Sequence, residues 1–169
     1  ATAEKNGVVY LSENPSPEVL PSVRYQAAGA YFPRTAKATI FGGHNGGAPD
    51  VYNKETWEWT GTRWSRKVAA LEADATFKAR AGHKITHDSP RNKLFLHGGR
   101  ASDQSLLATS YTWDGTDWAL APAISSSPFP GARFGHATAY DSVRKKTILF
   151  GGWDAVTGNP LGDTWEFDG

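Results

Sequence analysis

The chain has 169 residues, enough for one domain with its own core, and carries 18 Lys and Arg against 17 Asp and Glu for a formal net charge of +1. That balance, without any long run of basic residues, excludes the electrostatic footprint of a nucleic-acid binder, and no apolar stretch approaches the ~20 residues of a membrane helix. The absence of Cys removes disulfides, thiolate metal sites and Cys nucleophiles, while seven Trp, 18 Gly and 10 Pro suit an all-β chain of short strands and frequent turns.

The elements follow a period. Segment 7–10 (GVVY) reads as a lone short strand. Segment 23–43 (VRYQAAGAYFPRTAKATIFGG) holds two strands and closes on Gly42-Gly43. The aromatic strand 56–59 (TWEW), the Thr60-Gly61 turn and Trp64 come next. Segment 79–99 (ARAGHKITHDSPRNKLFLHGG) then restates the pattern, followed by 111–114 (YTWD), Gly115 and Trp118. Segment 132–152 (ARFGHATAYDSVRKKTILFGG) states it a third time, followed by 164–167 (TWEF) and Asp168-Gly169. The second and third copies align without a gap at Arg80/Arg133, Gly82/Gly135, His83/His136, Asp88/Asp141, Ser89/Ser142 and Arg91/Arg144. The first copy keeps Arg24 and the glycine pair but has Gln26-Ala27 at the Gly-His step. Gly61, Gly115 and Gly169 lie 54 residues apart, as do Tyr10, Trp64 and Trp118.

Each period therefore predicts four short strands, a to d. Strand a follows the Arg, b ends in the glycine pair, c is the TWEW-like run and d holds the second aromatic. The c–d steps read as tight hairpins whose Gly supplies a positive φ. The glycine pair permits a sharp bend where a Cβ would clash. The glycine doublet, the Arg-x-Gly-His step and the two spaced aromatics, in three copies from about Asn6 to Gly169, resemble the kelch repeat. The resemblance implies an all-β fold of kelch-type β-propeller blades, each of four antiparallel strands around a channel, with strand a innermost.

The blades are expected at about 23–64, 79–118 and 132–169. The 54-residue count puts 7–10 in the place of a strand d, and the third blade lacks its own. Strand 7–10 of a partner, or of the same chain, is expected to complete it, because an unpaired edge exposes a row of backbone donors and acceptors. Three blades are too few for a ring. The expected partner is therefore the chain itself, in a six-bladed homodimer with exchanged strands.

Strands a and b are antiparallel neighbours, so the d–a and b–c loops share one face. Arg24, Arg80 and Arg133 are expected there, with His44, Asn45, Arg100, Trp153 and Asp154 just after the glycine pairs. The candidate ligand-binding set is Arg24, Arg80, Arg133, His44, Arg100, Trp153 and Asp154. Arginines ringing a mouth favour an anionic group through forked hydrogen bonds. The competing reading is that they cap blade ends and pair with Asp or backbone carbonyls. Trp153 and Phe129 depart from the aromatic period and can stack on sugars or apolar peptide side chains. The other periodic aromatics, and His83 and His136, are expected to pack between blades.

No metal or other cofactor is expected. His83 and His87, four apart on a strand, are separated by roughly 13 Å. His97 is expected to be half-buried, and His44 with Asn45 and Asp50 is too thin a ligand set. Paired catalytic carboxylates are not evident: Glu58 and Glu166 sit on strand c, and Glu72, Asp74 and Asp103 are scattered in loops. Nucleophile elbows and phosphate loops are absent. The favoured function is a non-catalytic binding or scaffold propeller whose loop face holds a protein segment, a glycan or a small anion. The alternatives are a sugar-modifying enzyme of mutarotase or isomerase type and a structural module of a larger surface protein. The copper-radical oxidases of the family need a Cys cross-linked to Tyr, which this sequence cannot supply. The start Ala1-Thr2-Ala3 is compatible with the end left by removal of a secretion signal, a lean towards a secreted or periplasmic protein.

Overall fold

The computed structural model describes the backbone of residues 2–5 and 8–11, and residues 20–121, 129–154 and 157–168. In chain order the strands are β1 (Thr2–Lys5), β2 (Val8–Leu11), β3 (Ala28–Phe32), β4 (Lys37–Phe41), β5 (Thr56–Trp59) and β6 (Trp64–Lys67). After a single 3-10 turn (Ala70–Ala73) follow β7 (Lys84–Asp88), β8 (Lys93–His97), β9 (Ser110–Trp113) and β10 (Trp118–Leu120). The last group is β11 (Arg133–Phe134), β12 (Ala137–Asp141), β13 (Lys146–Phe150), β14 (Trp153–Asp154) and β15 (Thr164–Phe167).

These strands form consecutive antiparallel meanders. The first sheet runs β3-β4-β5-β6 and the second, in the same sense, β7-β8-β9-β10. The third, β12-β13-β15, has three strands, and β11 pairs separately with β14. The expected a, b, c and d strands are present in the first two sheets, and strand b of the second sheet is Lys93–His97 as read from the sequence. β2 pairs with β1, with Tyr10 opposite Ala3. Val8–Leu11 and Thr2–Lys5 make a two-stranded sheet of their own, and Gly7 and Gly169 lie outside the described residues.

Local chemistry accounts for the turns. Gly61 (φ 96°) and Gly115 (φ 100°) take the left-handed conformation at the c–d hairpins. In the a–b hairpin of the third sheet, Asp141 Oδ1 accepts the Val143 and Arg144 amides at 2.9 and 2.8 Å, and Asp88 accepts from Arg91 in the second. This is why the two aligned Asp and Arg recur together.

The sheets meet through their first strands, β3 against β7 and β7 against β12. The larger core lies between the first and second sheets, where Phe41, Phe77 and Trp118 pack together with Tyr111 and Trp113. Trp118 Nε1 donates to Thr56 Oγ1 across this junction at 2.8 Å. A smaller core between the second and third sheets stacks Phe95 on Phe167 with centroids 4.4 Å apart. The second sheet is thus covered on both faces, and each outer sheet on one.

The junctions repeat the same backbone bonds. The Gly43 amide donates to the Arg80 carbonyl and the Gly99 amide to that of Arg133, both at 2.8 Å. Gly82 donates to Gln26 (2.9 Å) and Gly135 to Gly82 (2.8 Å). At both junctions the first glycine of the pair has no room for a side chain: a Cβ on Gly42 would stand 2.5 Å from the Arg80 carbonyl oxygen, and one on Gly98 2.5 Å from that of Arg133.

Candidate functional site

The three repeat arginines are enclosed. Each guanidinium donates to the carbonyl of the first glycine in its own sheet: Arg24 to Gly42 at 3.1 Å, Arg80 to Gly98 at 3.0 Å, Arg133 to Gly151 at 3.0 Å. Arg24 also reaches Glu55 at 2.8 Å, and Arg133 grips both carboxylate oxygens of Asp163 at 2.7 and 2.8 Å. The same acids accept from the strand-c indoles, Trp57 and Trp165. For Arg24 and Arg133 every guanidinium nitrogen is engaged. These two residues hold strand ends together and have no fork left for a ligand, so the geometry favours the capping reading over an arginine-ringed mouth.

Electrostatics follow the contacts. Hydrogen bonds from Arg133 hold Asp163 at a pKa of about 2. Burial works against the Glu55 carboxylate, but the hydrogen bonds of Arg24 and Trp57 outweigh it and keep its pKa below the usual range. The middle arginine differs. Its acid position is Thr109, whose Oγ1 accepts at 3.2 Å, and no carboxylate neutralises it. Arg80 is fully buried over the Tyr111 ring (5.1 Å), with Nη2 lacking a hydrogen-bond partner. Burial lowers its pKa to about 10.

His44, Arg100 and Trp153 each follow a glycine pair, and the structure gives them one backbone slot. His44 bridges Tyr25, Arg100 bridges Ala81, and Trp153 pairs with Phe134. The slot recurs while its side chain changes. His44 is buried between Tyr25 (4.0 Å) and Tyr52 (4.6 Å), with Nδ1 on the Asp50 carboxylate at 2.8 Å. It positions the loop and does not face solvent. Arg100 lies over the Phe134 ring of the next sheet at 5.3 Å. Trp153 is 47% exposed, and Asp154 caps the following turn by accepting from Thr157 at 2.9 Å.

Sequence reasoning missed the cleft beside these slots. It has a volume of about 360 Å³ and is lined by Tyr52, Lys54, Phe77, Lys78, Ser102 and Asp103. The b–c loop of the first sheet, the connection into the second and the b–c loop of the second all contribute, so it lies on the anticipated loop face. Tyr52 joins it to His44 by stacking, and the Tyr52 hydroxyl is buried without a partner. Lys78 pairs with Asp103 at 2.9 Å and Lys54 approaches the Asp74 carbonyl at 3.5 Å, leaving two ammonium groups against one carboxylate at the cleft wall. These residues sit in loops without a repeat signature, so nothing in the spacing singled them out.

The remaining candidates are structural. His83, His97 and His136 are buried at the sheet junctions; His97 is fully enclosed, not half-buried, and donates to or accepts from Ser110 at 2.8 Å. Among the described residues no cluster of three or more His, Asp or Glu is arranged to hold a metal ion. Glu58 is buried against Lys37 (2.8 Å) and Lys67 (3.5 Å), and Glu166 pairs with Lys146 and Arg144. Phe129 packs against His97 at 5.9 Å, while the preceding residues 122–128 lie outside the described ones.

Adjacent four-stranded antiparallel meanders that converge on their first strands define an all-β, propeller-like fold. Among solved structures the chain is similar to that of YjhT, with a TM-score of 0.58 and 16% identity, covering 83% of this chain and 51% of that one. The likeness concerns the fold alone, and the chain spans about half the length of YjhT. No protein-family model and no curated protein matches the sequence.

Proposed function

We propose that the chain is a kelch-type β-propeller element whose loop face binds a small polar ligand, a saccharide unit or an organic anion, without turning it over. The observation that carries this reading is the 360 Å³ cleft on the face where the post-glycine slot keeps its backbone and varies its side chain. A repeated frame with unrepeated side chains is how a scaffold is fitted to one ligand. The volume falls within the range of small-molecule sites. Lys54 and Lys78 supply donors for hydroxyl or carboxylate groups, Asp103 and Ser102 supply acceptors, and Tyr52 and Phe77 supply aromatic wall.

The test is thermal-shift screening against neutral sugars, sugar acids and small dicarboxylates, followed by calorimetry on any hit. Lys78→Ala and Lys54→Ala are expected to weaken the hit at least tenfold. Arg100→Ala and Trp153→Ala report whether the neighbouring slots extend the site. A ligand whose affinity is unchanged by all four substitutions would place binding elsewhere.

A further inference from the structure

The outer faces of the first and third sheets are the two halves of one more junction. At each internal junction the second glycine of the pair donates to an arginine carbonyl of the next sheet, and the residue two after that arginine donates back. Continuing the series, the Gly152 amide calls for the carbonyl of Arg24, and the Gln26 amide for the carbonyl of Gly135. Among the described residues these four groups have no backbone partner. The donors and acceptors left over at one end thus match those left over at the other.

Side chains follow the same series. Phe41 ends strand b of the first sheet and packs fully buried against His83 of the second, with centroids 5.5 Å apart. His97 does the same against His136 of the third, at 5.5 Å. The third member, Phe150, is 54% exposed. Its counterpart by repeat position is Ala27, where the other two sheets have His. Among the innermost strands, Thr86 Oγ1 donates to Thr138 Oγ1 at 2.6 Å across the second junction. The equivalent residues at the open ends, Ala139 and Gly29, are both exposed and both small. Arg100 covers Phe134 of the next sheet, and the matching pair is Trp153 with Tyr25, 47% and 50% exposed.

We infer that the third sheet docks on the first sheet of a second copy of this chain, and that two such junctions close a six-sheet ring. A two-fold axis makes both junctions identical, so neither face stays bare. Six sheets fall within the range in which propellers close. Trp153 of one copy then lies beside Tyr25 of the other, so the loop-face slot it occupies is finished by the second chain. This inference does not depend on the ligand reading, since its tests need no ligand.

Light scattering of the 169-residue chain is expected to give about 37 kDa, twice the chain mass of 18.3 kDa. Phe150→Asp and Ala27→Asp, on opposite faces, are each expected to give folded monomers by mass and circular dichroism. Val143→Asp, at an exposed a–b turn position, is expected to remain a dimer. The deciding step mixes the two monomeric variants. One of the two junctions then pairs a wild-type third sheet with a wild-type first sheet, and native mass spectrometry is expected to show the mixed dimer and neither homodimer. A wild-type mass near 18.3 kDa overturns the inference. So does a mass of three or more copies, a dimer that survives Ala27→Asp, or a mixture that stays monomeric.

Discussion

Acid should unfold this protein well above the pH at which its carboxylates titrate. His83, His97 and His136 stand at the sheet junctions, buried and neutral. Burial, reinforced by nearby positive charge, lowers His97 to about 3 and His136 to about 4, and His83 falls well below its ordinary value for the same first reason. In the unfolded chain each titrates near 6.5. The folded pKa is the lower one, so the unfolded chain binds protons first as pH falls. Stability is complete above about pH 6.5 and is lost on the way down to the folded pKa values, below which the loss levels off. Between pH 7 and pH 5 His97 and His136 each cost about 2 kcal/mol, about 4 kcal/mol together, and His83 acts in the same direction. Against a domain stability of about 5–15 kcal/mol this is a large fraction. Urea unfolding followed by Trp fluorescence at fixed protein concentration, from pH 7 to 4.5, measures it. His97→Phe is the matched perturbation, because Phe41 and Phe150 hold the same repeat position. It leaves the Ser110 hydroxyl without its partner and shifts absolute stability, but it should lower the pH slope by about one proton. A slope of less than one proton between pH 6.5 and 5 in the parent, or an unchanged slope in His97→Phe, refutes the reasoning.

Thr109→Asp should give Arg80 the carboxylate that Arg133 has in Asp163, raising stability by about 1–2 kcal/mol in urea titrations. A destabilised variant would mean that Arg80 is already neutralised by its surroundings. Gly42→Ala should cost about 2 kcal/mol or more, since it combines a left-handed φ of 68° with a Cβ 2.5 Å from the Arg80 carbonyl. Gly61→Ala, with a similar φ but nothing within 4 Å, should cost only about 1 kcal/mol, and equal melting shifts for the two would contradict the packing argument. Gln26→Gly should raise stability by about 0.5–1 kcal/mol, because Gln26 sits at φ 55° where the other repeats use Gly82 and Gly135.

Strand positions were legible because their boundaries are fixed by residues with few alternatives. Glycine at positive φ ends strand b and turns c into d, and the aromatic pairs mark c and d whichever residues fill the loops. The arginine role was half legible. Three copies suggested a repeat function, but the partners are Glu55, Thr109 and Asp163, each two residues before the strand-c aromatic and different in each sheet. That spacing of 54 was countable in the sequence; the identity change hid it. The cleft was not legible at all, because it is assembled from three loops whose approach depends on how the sheets stack. The pairing of β1 with β2 was not legible either, because Thr2–Lys5 carries no repeat signature.

The departures from the repeat are not scattered. Gln26-Ala27 replaces Gly-His in the first sheet, while Phe150 in the third keeps the residue type of Phe41. Both lie on the faces left uncovered, one at each end, at positions that meet in every internal junction. In the covered junctions Phe41 meets His83 and His97 meets His136, so total ring volume at the contact is already shared between two sizeable side chains. At the open ends one side chain is large and the other is reduced to a methyl. Close packing penalises a mismatch in either direction, through a cavity if both are small and through strain if both are large. If these two faces meet, Phe150 opposite Ala27 leaves more room than Phe41 opposite His83, so the two sheets there must approach more closely to avoid a void.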